Sequence, residues 1–257
     1  MTHTTSAAIV LRRRDYGDFD LILTVLTQGN GVCTLIAKSA KKSVKRFAGI
    51  LEPFAGLHIV YRQGHGNAMP VLEEATLEKS YGSVRNDIVK TAYASYWSEL
   101  VALWLESGQA RPDVYELLDY VLDGLSGNTA PGALLSLLFQ MRFVGQEGLR
   151  PVLERCVCCQ IDIEQLPQQL FCIDLRQGGI VCHACPSPET AQLQLGKGTL
   201  KQLLWMAEGD LATALRVRFS PRAMAEATTF LEAFVPYHIG RAPKSLAFLR
   251  QVRNPSV

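Results

Sequence analysis

Two Cys-x-x-Cys turns, Cys156-Val157-Cys158-Cys159 and Cys182-His183-Ala184-Cys185, constrain this chain more than any other feature. Each turn can present two thiolates to one metal ion from the same side. Together they supply the four corners of a tetrahedron. Thiolate sulfur suits Zn²⁺, and four protein ligands leave no open position for a substrate. The two pairs are separated by 22 residues, slightly beyond the usual zinc-ribbon window of about 15–20. Four of the seven cysteines still fall into two matching pairs. The competing readings are cysteines packed as small hydrophobes and a redox pair. The expectation is one structural Zn²⁺ held by Cys156, Cys159, Cys182 and Cys185.

The chain around this segment changes character once. Up to about residue 80 the pattern is β. Ala7–Leu11 leads into Arg12-Arg13-Arg14. Leu21–Leu26 and Val32–Ile36 flank Gln28-Gly-Asn-Gly31, a hairpin signal. Leu57–Tyr61 is a fourth strand, and Gly64–Asn67 turns it into a fifth around Val71–Leu77. Five strands, all but one pair joined by tight turns, predict a small barrel of the OB type. The exception is the long link from Lys38 to Phe54.

Beyond Ser80 the apolar spacing becomes helical. Asp87–Glu106 carries apolar residues at 3.6-residue intervals, and Pro112 opens a second helix. Ala133–Val144 is apolar nearly all round and reads as a central buried helix. Leu170–Asp174 is a short strand inside the cysteine segment, and Gly178-Gly179 turns towards the second pair. Pro186 and Pro188 close the insertion. Further helices are expected at Gly198–Met206, after the N-cap Asp210, and from Ser220-Pro221 to His238. Gly240–Leu249 is a short tail of mixed basic and apolar residues. The fold class is therefore α+β: a five-stranded OB-type barrel over 1–80, then a mainly helical domain over 81–257 carrying a four-cysteine zinc insertion at about 152–190.

Net charge is only +2, so any argument for nucleic acid rests on where the charges sit. Lys38, Lys41, Lys42, Lys45 and Arg46 place five cations and no acid in nine residues, inside the long link of the barrel. Arg12, Arg13 and Arg14 end the first strand. A positive groove on an OB barrel tracks a phosphate backbone, and bases stack on nearby aromatics, here Phe47, Phe54 or Tyr16. A solvated charge run is the plainer alternative.

Other chemistry is missing its parts. Leu195-Gly-Lys-Gly-Thr199 lacks the spacing of a phosphate loop, with Ala191 where a glycine is needed and Gly198 where Ser or Thr is needed. No His-x-Glu or Cys-x-Glu pair precedes the cysteines, as a zinc deaminase requires. His183 reads as a bystander between two ligands. No catalytic residue is identifiable. No apolar run reaches the length of a membrane helix and no leader pattern opens the chain, so neither membrane nor secretion is expected. An odd cysteine count with Cys-x-x-Cys pairing fits a reducing cytoplasm.

The order of parts resembles the RecO family of bacterial DNA-repair proteins. The stretches that carry the resemblance are Asp15-Tyr-Gly-Asp-Phe-Asp-Leu-Ile-Leu-Thr24, Ala37-Lys-Ser-Ala-Lys-Lys42, Phe47-Ala-Gly-Ile-Leu-Glu-Pro-Phe54, the two cysteine pairs with Gly178-Gly179, and His238-Ile-Gly-Arg with Lys244-Ser-Leu246. The resemblance implies a DNA-binding recombination mediator and no enzyme. Such a protein binds single- and double-stranded DNA and anneals complementary strands. It works with RecR, and in the pathway with RecF, to load RecA onto strands coated by single-strand-binding protein (SSB). It also contacts the acidic C-terminal tail of SSB, and its place is the cytoplasm of a bacterium, at the nucleoid. DNA contacts then fall on Arg12, Arg13, Arg14, Lys38, Lys41, Lys42, Lys45 and Arg46, and zinc on the four cysteines. Cys158 and Cys172 are additional; Cys158 is an alternative ligand to Cys159, and the two-residue spacing favours Cys159. Arg142 and Lys201 are candidate rim cations for the acidic tail. The competing classes are a zinc-ribbon enzyme acting on nucleic acid and a protein-interaction scaffold whose basic loop is only solvated.

Overall fold

The structure, a computed structural model, describes residues 3–43, 45–64, 68–186 and 192–253. Most of the expected turn at Gly64–Asn67, together with Pro188 and Ala191, lies outside them. The chain forms two compact units, 1–129 with 243–257, and 130–242.

The first unit begins with five strands: β1 (His3–Tyr16), β2 (Asp20–Thr27), β3 (Gly31–Ala37), β4 (Gly56–Arg62) and β5 (Val71–Lys79). Their order is β1-β2-β3-β5-β4, and β4 pairs back with β1, so the ring closes as a barrel. The five-stranded barrel expected from the sequence is present. One strand is much longer than its apolar core suggested. At 14 residues, β1 pairs with β4 through His3–Ile9 and with β2 through Ala8–Tyr16. A bulge between Val10 and Arg12 bends it from one partner towards the other. Inward-facing Val10, Leu23, Val25, Leu35, Leu57, Ile59 and Leu72 fill the interior.

The turn joining β2 to β3 is closed by Thr27. Its Oγ1 donates to the Gly31 carbonyl at 2.8 Å and accepts from the Asn30 N–H at 3.1 Å. Gly31 has φ 62°, and a Cβ there would stand 2.0 Å from the Gln109 carbonyl oxygen, so only glycine fits.

After α1 (Gly82–Arg85) come α2 (Ile88–Trp104) and α3 (Pro112–Gly127). Asp87 caps α2 by accepting from Val89 N and Lys90 N, and Pro112 stands at the start of α3. The Lys79 ammonium bridges Asp119 and Asp123 of α3 at 2.7 and 2.6 Å, and the Tyr81 hydroxyl donates to the same two carboxylates, tying the end of the barrel to this helix.

The second unit is built on α4 (Gly132–Gln146), buried on nearly all sides, as its all-round apolar sequence predicts. It continues through β6 (Leu170–Asp174), β7 (Gly179–Val181), β8 (Gln194–Gly196), α5 (Lys197–Ala207), α6 (Leu211–Ala214) and α7 (Pro221–Ile239). Asp210 and Ser220 cap α6 and α7 as expected. The three strands form a sheet in the order β7-β6-β8.

The tail differs from expectation. Residues Lys244–Arg253 form a last helix, α8, which packs against α2 with Leu246 and Leu249 buried. Glu99 of α2 accepts from the backbone N–H groups of Lys244 and Ser245 at 3.1 and 2.7 Å and from the Ser245 hydroxyl. A carboxylate 145 residues away in sequence thus satisfies the orphan donors that open α8.

Candidate functional site

The cysteine segment is a knuckle built by backbone pairing. Val152 N donates to Gly178 O, and Ile180 N returns to Val152 O. Val157 N then donates to Ile180 O, which holds the first Cys-x-x-Cys turn beside the second. Gly178 is left-handed at φ 73°. At Gly179 a Cβ would lie 2.5 Å from the Val152 carbonyl oxygen and 2.6 Å from Val157 Cγ1, so the two turns approach closely only because this residue has no side chain.

The result gathers the Sγ atoms of Cys156, Cys159, Cys182 and Cys185 within 4.8 Å of one another. Three separations are 3.9 Å (Cys156–Cys185), 3.7 Å (Cys159–Cys182) and 3.6 Å (Cys182–Cys185). A tetrahedral ion with Zn–S bonds of ~2.3 Å needs sulfurs about 3.8 Å apart. The four cysteines can hold one metal ion, and the donor set suits zinc.

The electrostatics agree with the geometry. Burial opposes ionisation of Cys156, but backbone N–H groups of Cys159, Cys182 and Cys158 hold its thiol down at about 6. Cys185 is pushed up, first by its contact with Cys182. One thiolate forms readily and its neighbours resist a second charge, so full ionisation of the set calls for a cation among the sulfurs. Cys158 is not part of the four-sulfur group, and its sulfur takes a hydrogen bond from Gln177. Cys172 takes one from Gln194. The His183 side chain is exposed and is not part of the four-sulfur group.

In the first unit, the basic link folds onto the β1–β2 hairpin. Lys41 N donates to Phe19 O at 3.0 Å, and Ser39 N donates to the Asp20 carboxylate at 2.7 Å. Lys38, Lys42, Lys45 and Arg46 are exposed, as are Arg12 and Arg14 on β1. Lys42 Nζ lies 3.3 Å above the Phe19 ring, and Arg46 donates to Lys38 O at 3.1 Å. Among the described residues, two of the eight predicted cations have acid partners: Lys41 with Asp15 at 3.0 Å, and Arg13 with Glu52. Arg13 sits opposite the buried Leu23, between the outward Arg12 and Arg14, as strand alternation requires.

The expected stacking aromatics need correction. Phe47 and Phe54 are almost wholly buried. Phe47 anchors the basic link in the barrel core and Phe54 N donates to Val10 O at 2.7 Å, so neither ring can meet a base. Tyr16 is exposed, and so is Phe19, which sequence reasoning passed over.

In the second unit, Arg142 donates from Nε to Met206 O at 2.8 Å and from Nη2 to the carbonyls of Glu208 and Gly209, satisfying the end of α5. Lys201 is half exposed and pairs with Glu164 at 2.7 Å. Among the described residues no helix is long and apolar enough to cross a membrane.

Comparison with known proteins places these features in a wider set. Residues 1–81 match the family described as Recombination protein O N terminal, and residues 85–247 match Recombination protein O C terminal. The chain is 41% identical to a protein of Desulfatibacillum aliphaticivorans named DNA repair protein RecO, over 99% of both chains. It is 42% identical to the protein of the same name from Desulfosudis oleivorans, over 97% of this chain and 98% of that one. A Bacillus subtilis protein with that name is 28% identical over 98% of this chain and 95% of its own length.

Proposed function

The chain belongs to the RecO family of DNA repair proteins, and from that premise we propose that it is a recombination mediator acting by charge and shape, without bond chemistry. It binds single- and double-stranded DNA, anneals complementary strands, and with RecR helps load RecA on strands coated by SSB. RecF belongs to the same pathway. The barrel, residues 1–80, is the DNA-binding domain, and residues 81–257 carry the zinc insertion at about 152–190.

The observation that carries this reading is the folded basic link. Lys38, Lys42, Lys45 and Arg46 stand exposed on a turn stapled to the barrel rim. Among the described residues none of the four is paired with a carboxylate. Two complementary strands repel each other, and a surface offering cations to both lowers that repulsion and raises their effective concentration. The ion pairs of Lys41 with Asp15 and of Arg13 with Glu52 make these two the weaker members of the proposed set. Zinc held by four thiolates stabilises the second unit and exposes no reactive position, which supports a role other than catalysis. For the acidic tail of SSB, the two proposed rim cations are Arg142, which spends donors on the carbonyls closing α5, and Lys201, which is half exposed but paired with Glu164.

The test is strand annealing with Lys38, Lys41, Lys42, Lys45 and Arg46 all changed to Ala. Annealing lost with the fold intact supports the assignment, and unchanged annealing removes it. If about five phosphates are neutralised, log affinity for a single strand falls with log salt at a slope near −3.5, and a flat response is incompatible with the reading.

A further inference from the structure

The β1–β2 hairpin ends in Tyr16-Gly17-Asp18-Phe19. Tyr16 is 54% exposed and Phe19 42%, whereas the barrel's Phe47, Phe54 and Tyr61 are all but buried. A single exposed ring needs no explanation. Two on one tip, beside the strongest run of positive charge in the chain, do. The tip is also held still. The Lys41 N–H and the Ser39 N–H anchor its second side, Lys42 sits on the Phe19 ring, and Gly17 at φ 56° makes the turn. The arrangement sets two π surfaces next to cations, the pairing of parts that captures an unpaired nucleotide by its base and its phosphate together.

We propose that Tyr16 and Phe19 form a stacking platform for unpaired nucleobases, adding to the basic link a preference for single over double strands. The proposal rests on the reading of that link as a DNA-binding surface. In a duplex the base faces are already stacked on one another, so the rings gain nothing there and only the cations act. In a single strand each base has a free face, and a ring held in place loses little freedom in meeting it.

The experiment compares three probes of equal length with the full-length protein: oligo-dT, an abasic deoxyribose-phosphate strand, and duplex DNA. Tyr16→Ala with Phe19→Ala should weaken oligo-dT binding about tenfold or more. Binding to the abasic strand and to duplex should stay unchanged. Tyr16→Trp with Phe19→Trp should restore oligo-dT binding, which a merely structural role of the two positions would not do. Equal loss on all three probes, or no loss on oligo-dT, overturns the platform. A separate variant, with Lys38, Lys42, Lys45 and Arg46 changed to Ala, keeps the two ideas distinguishable. If it binds all three probes like the parent, the DNA-binding reading of the link fails. If it loses all three while the double alanine variant behaves as the parent, only the platform fails.

Discussion

At the scale of single residues, the sequence pattern separated ligands from bystanders better than it separated exposed from buried side chains. The Cys-x-x-Cys spacing is a local rule, and the four sulfurs it selects are the ones that meet. Phe47 defeated the same approach because it follows Lys45 and Arg46, and a charged neighbourhood reads as solvent. An apolar residue in a charge run is as often the anchor that lets the run lie on a surface, and Phe47 reaches the barrel core. Strand alternation, by contrast, does divide Arg12 and Arg14 from Arg13, a distinction legible before any coordinates. Two substitutions test this scale. Gly179→Ala should destabilise the second unit by about 2 kcal/mol, because a methyl group there meets backbone oxygen 2.5 Å away; thermal unfolding of the variant beside the parent reads it. Elemental analysis of the parent should return one zinc per chain, and Cys159→Ser should lower that content and cost stability before it costs DNA binding. If DNA binding failed with metal and fold intact, the cysteine segment would itself be part of the DNA surface.

At the scale of elements, α8 is the instructive case. Its sequence offers Leu246 and Leu249 at a helical interval, but ten residues are too few to sustain a helix alone. What makes it helical is α2, which buries that face, and Glu99, which accepts from its first donors. Neither partner is visible from the tail, and the length of the intervening chain hides both. Glu99→Ala should therefore cost about 1–2 kcal/mol and speed amide exchange across Lys244–Arg253 far more than across α3. Exchange that stays slow in α8 would mean that packing alone holds it. The first strand was misjudged for a related reason. Its polar ends, His3–Ser6 and Asp15-Tyr16, have no apolar pattern, and they are strand because β4 and β2 supply their hydrogen-bond partners.

At the scale of the molecule, the four-cysteine group belongs to one compact unit and the basic link to the other. Chelation should thus loosen residues 130–242 while the barrel keeps its protected amides, a contrast that hydrogen exchange with and without chelator reads directly. Simultaneous loss of protection in both would show that the two units fold as one. The placement of α8 has a further meaning, in time. It completes the unit that the amino-terminal residues begin, yet the ribosome makes it only after the whole of the second unit. Between the synthesis of Glu99 and that of the helix it caps lie 145 residues, roughly 7–30 s of elongation. During that interval the apolar face of α2 that Leu246 and Leu249 later cover has no partner from α8, and all four cysteines of the knuckle are made before α8 is. Of the two units, the one begun earlier is finished later.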